Sequence, residues 1–252
     1  MPELKDKYET LLVRRERSRL HVTLNRPEVK NALNPTLIGE LKQVFAALRD
    51  RRDVKVVILR GAGGCFCAGA DLKNMERSFS EPAKPGQKDP IALNNREYGN
   101  FLEMVNTTPQ TVVAAVEGYA IAGGFGLLCV SDVALCTEDA GFAMSETAIG
   151  IVPAQIAPFV AARIGVPNTR HLALTAARFK GPDALRYGIV HHLVKDSAAL
   201  NTKLEEVLKQ IDRCAPLANA LTKAVVMKVG SEPLSSVLDF AADRFAEARR
   251  SP

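Results

Sequence analysis

Two segments constrain the fold more than any others. "VKVVILRG" (54–61) and "QTVVAAVEG" (110–118) are apolar, β-branched runs with almost no polar alternation. A strand with one wet face alternates polar and apolar residues, so these runs read as strands covered on both faces. Each leads into a glycine-rich stretch, "GAGGCFCAGADL" at 61–72 and "GYAIAGGFGLL" at 118–128. The remaining segments alternate between strand-like and helical patterns, which predicts an α/β layered fold.

Around these two strands, "TLLVRRE" and "RLHVTLN" flank a charged turn and read as a hairpin. Asn34 followed by Pro35 marks a helix start, and Leu37, Ile38, Leu41, Val44, Phe45 and Leu48 continue at helical spacing. Residues 50–53 end that helix. "SFSEPAKPGQKDP" (78–90) reads as a polar, proline-rich loop, and "IALNNREYGNFLEMV" (91–105) as a helix. "VALCTEDAGFAMSE" reads as two short strands around a turn. From 157 onward the pattern is mostly helical, with a small turn at "FKGPDALRYGIV". Residues 197–249 give three amphipathic helices broken near Pro216 and Pro233.

Composition closes off several classes. At 252 residues, 47% hydrophobic and 24% charged, the chain can bury a large core and resembles ordinary globular proteins. The net charge of +5 is mild, and no arginine-rich tract with interleaved aromatics appears, so no nucleic-acid partner is expected. The five cysteines are scattered, with Cys65 and Cys67 too close for a CxxC pair, and the histidines lack ligand spacing; no metal site is expected. The thiols read as reduced, in a reducing compartment. The charged N-terminal decapeptide lacks a signal core, and no apolar run is long enough to span a bilayer. The expectation is a cytoplasmic protein without a membrane partner.

The two glycine-rich turns share a design. Each follows a buried strand and places small residues where backbone must approach something closely. A glycine turn at a helix start offers free N–H groups, which suit a phosphate or a reaction oxyanion. Neither turn matches the dinucleotide fingerprint or a P-loop. One such turn alone reads as close helix–sheet packing. Two, after neighbouring strands, can aim two N–H groups at one oxygen and so form an oxyanion hole without any side chain.

The blocks "LNRPEVKNALNPTL", "VVILRGAGGCFCAGADL", "VVAAVEGYAIAGGFGLLCVSD", "FAMSETAIGIVP" and "LALTAARFKGPDALRYGIVHHLV" resemble, in this order, the enoyl-CoA hydratase/isomerase (crotonase) family. The resemblance implies a spiral of ββα units over residues 1–195. It implies a C-terminal helical region over 196–252 that supports a homotrimer or dimer of trimers. It implies an acyl-CoA substrate, with coenzyme A carried as part of that substrate and no other cofactor. Carried onto this chain, the oxyanion donors are Ala70 and Gly123. Arg26, Ala68, Ala70, Asp71, Leu72 and Lys73 lie where the family meets the CoA moiety. Asp71 is expected to fix its turn. Relatives also continue past an "ARRSP"-like end into a segment that reaches a neighbour's CoA; the sequence stops at Pro252.

The acids depart from the pattern. Two-glutamate hydratases of the family carry one acid on the helix begun by the second glycine turn and another in an "FGxPE"-like segment. Here the second corresponds to Glu146, while the first position is Gly126, and Ala122 replaces the first glycine of the usual triple. A single carboxylate can move a proton between carbons of an enoyl thioester, as an isomerase does. "GGFGL" together with "PAQIAP" is similar instead to bacterial hydratases of branched glutaconyl-CoA esters, which also lack the first glutamate. The expectation is a 2-enoyl-CoA hydratase with Glu146 as acid/base. The alternatives are a Δ3,Δ2-enoyl-CoA isomerase and a non-catalytic CoA-ester or RNA binder. By the resemblance, Glu97 and Tyr98 lie roughly where some family members place an extra catalytic group, but they read rather as solvated helix residues; Asp132 and Asp139 read as structural turn acids.

Overall fold

The computed structural model describes residues 4, 5, 7–71 and 86–251. The chain opens with the expected hairpin, β1 (Leu11–Glu16) against β2 (Arg19–Leu24). Helix α1 (Pro35–Leu48) follows, its Asn34 side chain accepting from Leu37 N at 2.8 Å. Then come β3 (Val56–Gly61) and α2 (Pro90–Thr107). Next are β4 (Thr111–Val116), β5 (Tyr119–Ile121) and α3 (Gly123–Cys129). After them lie β6 (Val133–Thr137), β7 (Gly141–Ala143) and α4 (Ala157–Thr175), the last interrupted at Gly165.

The segment expected to be a small turn at 179–190 is more structured than that. It holds β8 (Arg178–Lys180) and α5 (Gly181–Arg186), with β9 (His192–Val194) directly after. Strands of three residues carry little periodicity, so β8 and β9 left no mark and β5 was hidden in its glycine-rich stretch; β7, equally short, was legible through the turn that joins it to β6. The chain ends in α6 (Ser197–Asp212), α7 (Pro216–Val226) and α8 (Leu234–Arg250), matching the three expected helices.

A six-stranded sheet runs β1-β2-β3-β4-β6-β9, and a three-stranded sheet runs β5-β7-β8. Successive units share one plan. The first strand of a unit joins the large sheet, its second turns into the small one, and a helix returns: β4-β5-α3, then β6-β7-α4. This is the expected α/β spiral of ββα units. An isolated parallel bridge from Cys67 to Ala120 gives the β3 unit the same form.

The large sheet is buried on both faces at its centre, in β3, β4 and β6, as the unbroken runs of β3 and β4 predict. Val57, Leu59, Val112 and Ala114 point into the main core with α1 and α2. Val56, Ile58, Val113 and Leu135 point the other way, against Leu200, Leu204, Val207 and Ile211 of α6. Helix α6 therefore covers the sheet. Helices α7 and α8 are less buried: α7 buries no residue fully and is tied to the sheet by Lys223, which donates to Gln110 O and Asp132, and α8 buries Val237 alone.

Candidate active site

Strand register assembles the site. Strands β5 and β7 pair in parallel, with Tyr119, Ala120 and Ile121 opposite Gly141, Phe142 and Ala143. Both therefore leave the small sheet at one edge, and Ala122 N donates to Ala143 O at 2.9 Å just beyond. Gly123 stands two residues past the end of β5, and Glu146 three past the end of β7. On the other side of β5, Cys67 N donates to Tyr119 O at 2.7 Å and Ile121 N to Cys67 O at 3.0 Å. Ala70 then lies three residues beyond the Cys67 bridge, as Gly123 lies three beyond its partner Ala120. Parallel neighbours are about 4.8 Å apart, so this register brings the turn of Ala70, the turn of Gly123 and the segment of Glu146 to one edge.

The two glycine turns touch. Gly69 has φ +98°, and a Cβ there would lie 3.1 Å from Ala122 Cβ and 3.1 Å from Ile121 O. Neither the Ala70 nor the Gly123 N–H donates to any described residue. Gly123 is the first residue of α3, where helix geometry leaves the N–H unused. Leu33 braces both turns. Its N–H donates to Gly69 O at 2.7 Å and its carbonyl accepts from Asp71 N at 2.9 Å, while its side chain covers Gly123.

Behind the first turn sits a polar brace. Arg26 donates to Ala32 O at 2.5 Å and pairs with Asp71 Oδ2 at 3.0 Å, both side chains largely enclosed. Asp71 fixes its turn, as expected, and Arg26 is its partner. Asn31 is fully buried at φ +56°. It donates to Ala62 O at 2.9 Å and Cys65 O at 2.6 Å and accepts from Arg26 N at 2.8 Å. Sequence reasoning passed over Asn31, although asparagine is among the non-glycine residues most often found in the left-handed region. Ala68 is half-buried and its N–H donates to Lys30 O at 3.0 Å. Leu72 and Lys73 lie outside the described residues, as do residues 78–85 of the 78–90 loop.

Glu146 opens a short 3-10 turn, Glu146–Ile149, and its side chain is only 8% exposed. Thr147 ties that turn to α4 by donating to Ala173 O at 2.7 Å. Burial pushes the Glu146 carboxyl above the ordinary carboxylate value, partly offset by a backbone hydrogen bond. Its Oε2 is buried and has no hydrogen-bond partner. A half-satisfied buried carboxyl is costly to a fold, and such groups concentrate where a ligand or reaction uses them.

Gly126 is buried in α3, and no acid could stand there without rearrangement. A Cβ on Gly126 would lie 2.3 Å from Ile156 Cγ2 and 2.8 Å from Ile156 Cβ. Ile156, from the "PAQIAP" segment, fills the space a side chain would need.

Helix α2 forms another wall, and it corrects one expectation. Glu97 is a solvated residue, paired with Lys42 at 2.6 Å. Tyr98 is not solvated. Its ring packs on Phe101, and its hydroxyl donates to Gly123 O at 2.5 Å. Burial, with smaller contributions from Cys67 and Glu146, raises its pKa well above the ordinary phenol value, so it stays a neutral donor. Helical periodicity shows which face of α2 turns inward, but not that a tyrosine on its edge finds a carbonyl. Asp132 is structural, as expected: it accepts from Val112 N at 2.7 Å and pairs with Lys223 at 2.7 Å.

A family model described as enoyl-CoA hydratase/isomerase matches residues 14–251. The chain belongs to the enoyl-CoA hydratase/isomerase family and is an enzyme of that kind. The Delta(3,5)-Delta(2,4)-dienoyl-CoA isomerase, peroxisomal, of Arabidopsis thaliana is 30% identical over 94% of this chain and 88% of its own length. The short-chain-enoyl-CoA hydratase of Clostridium acetobutylicum is 32% identical over 90% of this chain and 84% of its own. Among solved structures, Pseudomonas aeruginosa AtuE superimposes with a TM-score of 0.92 at 49% identity, covering 97% of this chain and 93% of that one. No described helix is long and apolar enough to cross a membrane.

Proposed function

We propose that the enzyme adds water across the double bond of a 2-enoyl-CoA thioester, with Glu146 as its acid/base. The observation that carries this reading is the buried Glu146 carboxyl, unpartnered at Oε2, beside two turns with unused N–H groups. The thioester oxygen would be held by the N–H groups of Ala70 and Gly123. Glu146 takes a proton from water as the water oxygen bonds to C3. The π electrons move onto the thioester oxygen as an enolate, stabilised by the two donors. C2 then takes a proton from the Glu146 carboxyl, leaving the carboxylate as it began. Several relatives carry hydratase or dehydratase names, in keeping with this chemistry.

The acyl group we propose is branched or carboxylated, on the likeness of "GGFGL" with "PAQIAP" to hydratases of branched glutaconyl thioesters. Arg26, Ala68, Ala70, Asp71, Leu72 and Lys73 are proposed to line the CoA path. Arg26 acts there through Asp71, since its guanidinium is already engaged. The proposed assembly is a homotrimer or dimer of trimers built on α7 and α8. Their exposed Val226, Leu234, Leu238 and Phe245 support this, the last 69% exposed.

One observation favours a second reading. Ile156 occupies the space beside Gly126, so no second carboxylate stands at that position, and a single one suffices for a Δ3,Δ2-enoyl-CoA isomerase. Parallel assays with a 2-enoyl-CoA and a 3-enoyl-CoA separate the two. Loss of the conjugated-thioester absorbance from the first supports hydration. Its appearance from the second, with no loss from the first, supports isomerisation.

A further inference from the structure

We infer that Tyr98 is a positioning residue for the reaction: its phenol pins the first turn of α3 so that the Gly123 N–H keeps its aim on the thioester oxygen. The inference rests on the reading of Ala70 and Gly123 as oxyanion donors.

Three features of the structure carry it. First, the contact is direct. Tyr98 Oη donates to Gly123 O at 2.5 Å, and a Cβ on Gly123 would lie 3.3 Å from the same oxygen. The phenol thus lies against one of the two residues whose N–H has to be placed. A helical carbonyl has a second lone pair, so the bond takes nothing from the helix ladder.

Second, α3 needs an outside hold. It has only seven residues, Gly123–Cys129, and is entered through Ala122 at φ 50°, ψ −120°. A residue with a Cβ in that sparsely populated region is strained and persists only where its surroundings enforce it. A helix of two turns has few bonds of its own with which to do so.

Third, the phenol comes from a rigid element. Helix α2 is anchored one turn away on each side of Tyr98. Gln155 donates to Asn95 at 2.8 Å, and Phe101 packs edge-on to Phe45 with centroids 6.3 Å apart. Gly99 lets Gln155 lie directly against the helix.

Tyr98→Phe removes one hydroxyl and keeps the ring. An oxyanion donor binds the enolate more strongly than the ground-state thioester, so a misplaced donor lowers kcat more than it raises KM. The experiment compares wild type, Tyr98→Phe and a packing control, Val105→Ala, from the buried face of the same helix. It reads kcat and KM for a 2-enoyl-CoA, exchange of the C2 protons of a saturated acyl-CoA in D2O, and the melting temperature. For Tyr98→Phe the expected result is a fall in kcat of about 10-fold, below the 10²–10³-fold of deleting a donor outright. KM should change by less than about 3-fold, with exchange falling in step. Val105→Ala should lower the melting temperature at least as much while keeping kcat per folded molecule. Tyr98→Phe holding kcat within about twofold, or losing rate only alongside stability as the control does, overturns the inference. If wild type neither hydrates, isomerises nor exchanges, the reading of the donors falls first, and the inference with it.

Discussion

Glu146 shows what a buried, half-satisfied carboxyl costs its own fold. Its carboxyl is buried and its pKa raised, so the folded protein holds that proton more tightly than the unfolded chain does. The stability penalty is absent below the ordinary carboxylate range and grows as pH rises through the raised value. Glu146→Gln should therefore melt higher than wild type at neutral pH, by roughly 2–4 °C if about 1 kcal/mol is recovered. Calorimetry at pH 7 and at pH 4 checks this, since the gain should vanish at the lower pH. The rate should follow the opposite arm of the same titration. A base must be ionised to accept a proton, so kcat/KM should rise with pH along a limb displaced above the ordinary carboxylate value. Gly126 makes a second residue-level case. Gly126→Ala drives a methyl into Ile156 and should destabilise by about 1–3 kcal/mol. Ile156→Ala in the same chain should recover part of that loss, a coupling that a double-mutant cycle in denaturant would measure.

The elements were legible in proportion to their length and regularity. The buried β3 and β4, the Asn34 cap of α1 and the three final helices were each announced by a run, a cap or a period. Glu146, Gly123 and Ala70 were legible only as motif positions; parallel register then brought their segments to one edge. Long-range pairing of three-residue strands leaves little local mark in a sequence, so β5, β8 and β9 went unseen, while β7 showed through its turn from β6. Asn31 was missed, and Tyr98 read as solvated, for a related reason. Their roles depend on which carbonyl lies opposite, and tertiary approach decides that. Asn31 joins two elements, the 26–33 loop and the exit from β3. Asn31→Ala strands the carbonyls of Ala62 and Cys65 and leaves alanine at a positive φ. A loss of about 3 kcal/mol is expected. Urea unfolding should show it as a lower midpoint with an unchanged slope.

At the scale of the whole molecule, two sheets and their helices form a core with the candidate site at the edge of the smaller sheet, while α7 and α8 leave Val226, Leu234, Leu238 and Phe245 exposed. Clustered exposed apolar side chains mark association surfaces. If the proposed trimer forms through this pair, light scattering should find wild type as an oligomer and Leu238→Asp with Phe245→Asp as a monomer, while the α/β circular-dichroism signature of the core remains. A monomeric wild type, or a double variant that keeps the size of wild type, would overturn the proposed interface.

The central claim is that one buried glutamate, with two backbone donors, hydrates an enoyl-CoA. Its most direct test is the turnover of glutaconyl-, 3-methylglutaconyl- and crotonyl-CoA by wild type and Glu146→Gln, followed by loss of the conjugated-thioester absorbance. The account predicts that wild type consumes a branched or carboxylated thioester faster than crotonyl-CoA. It also predicts that Glu146→Gln loses at least about 10²–10⁴-fold in rate on every substrate, the range of general acid–base catalysis. A Glu146→Gln enzyme that hydrates as fast as wild type would contradict it.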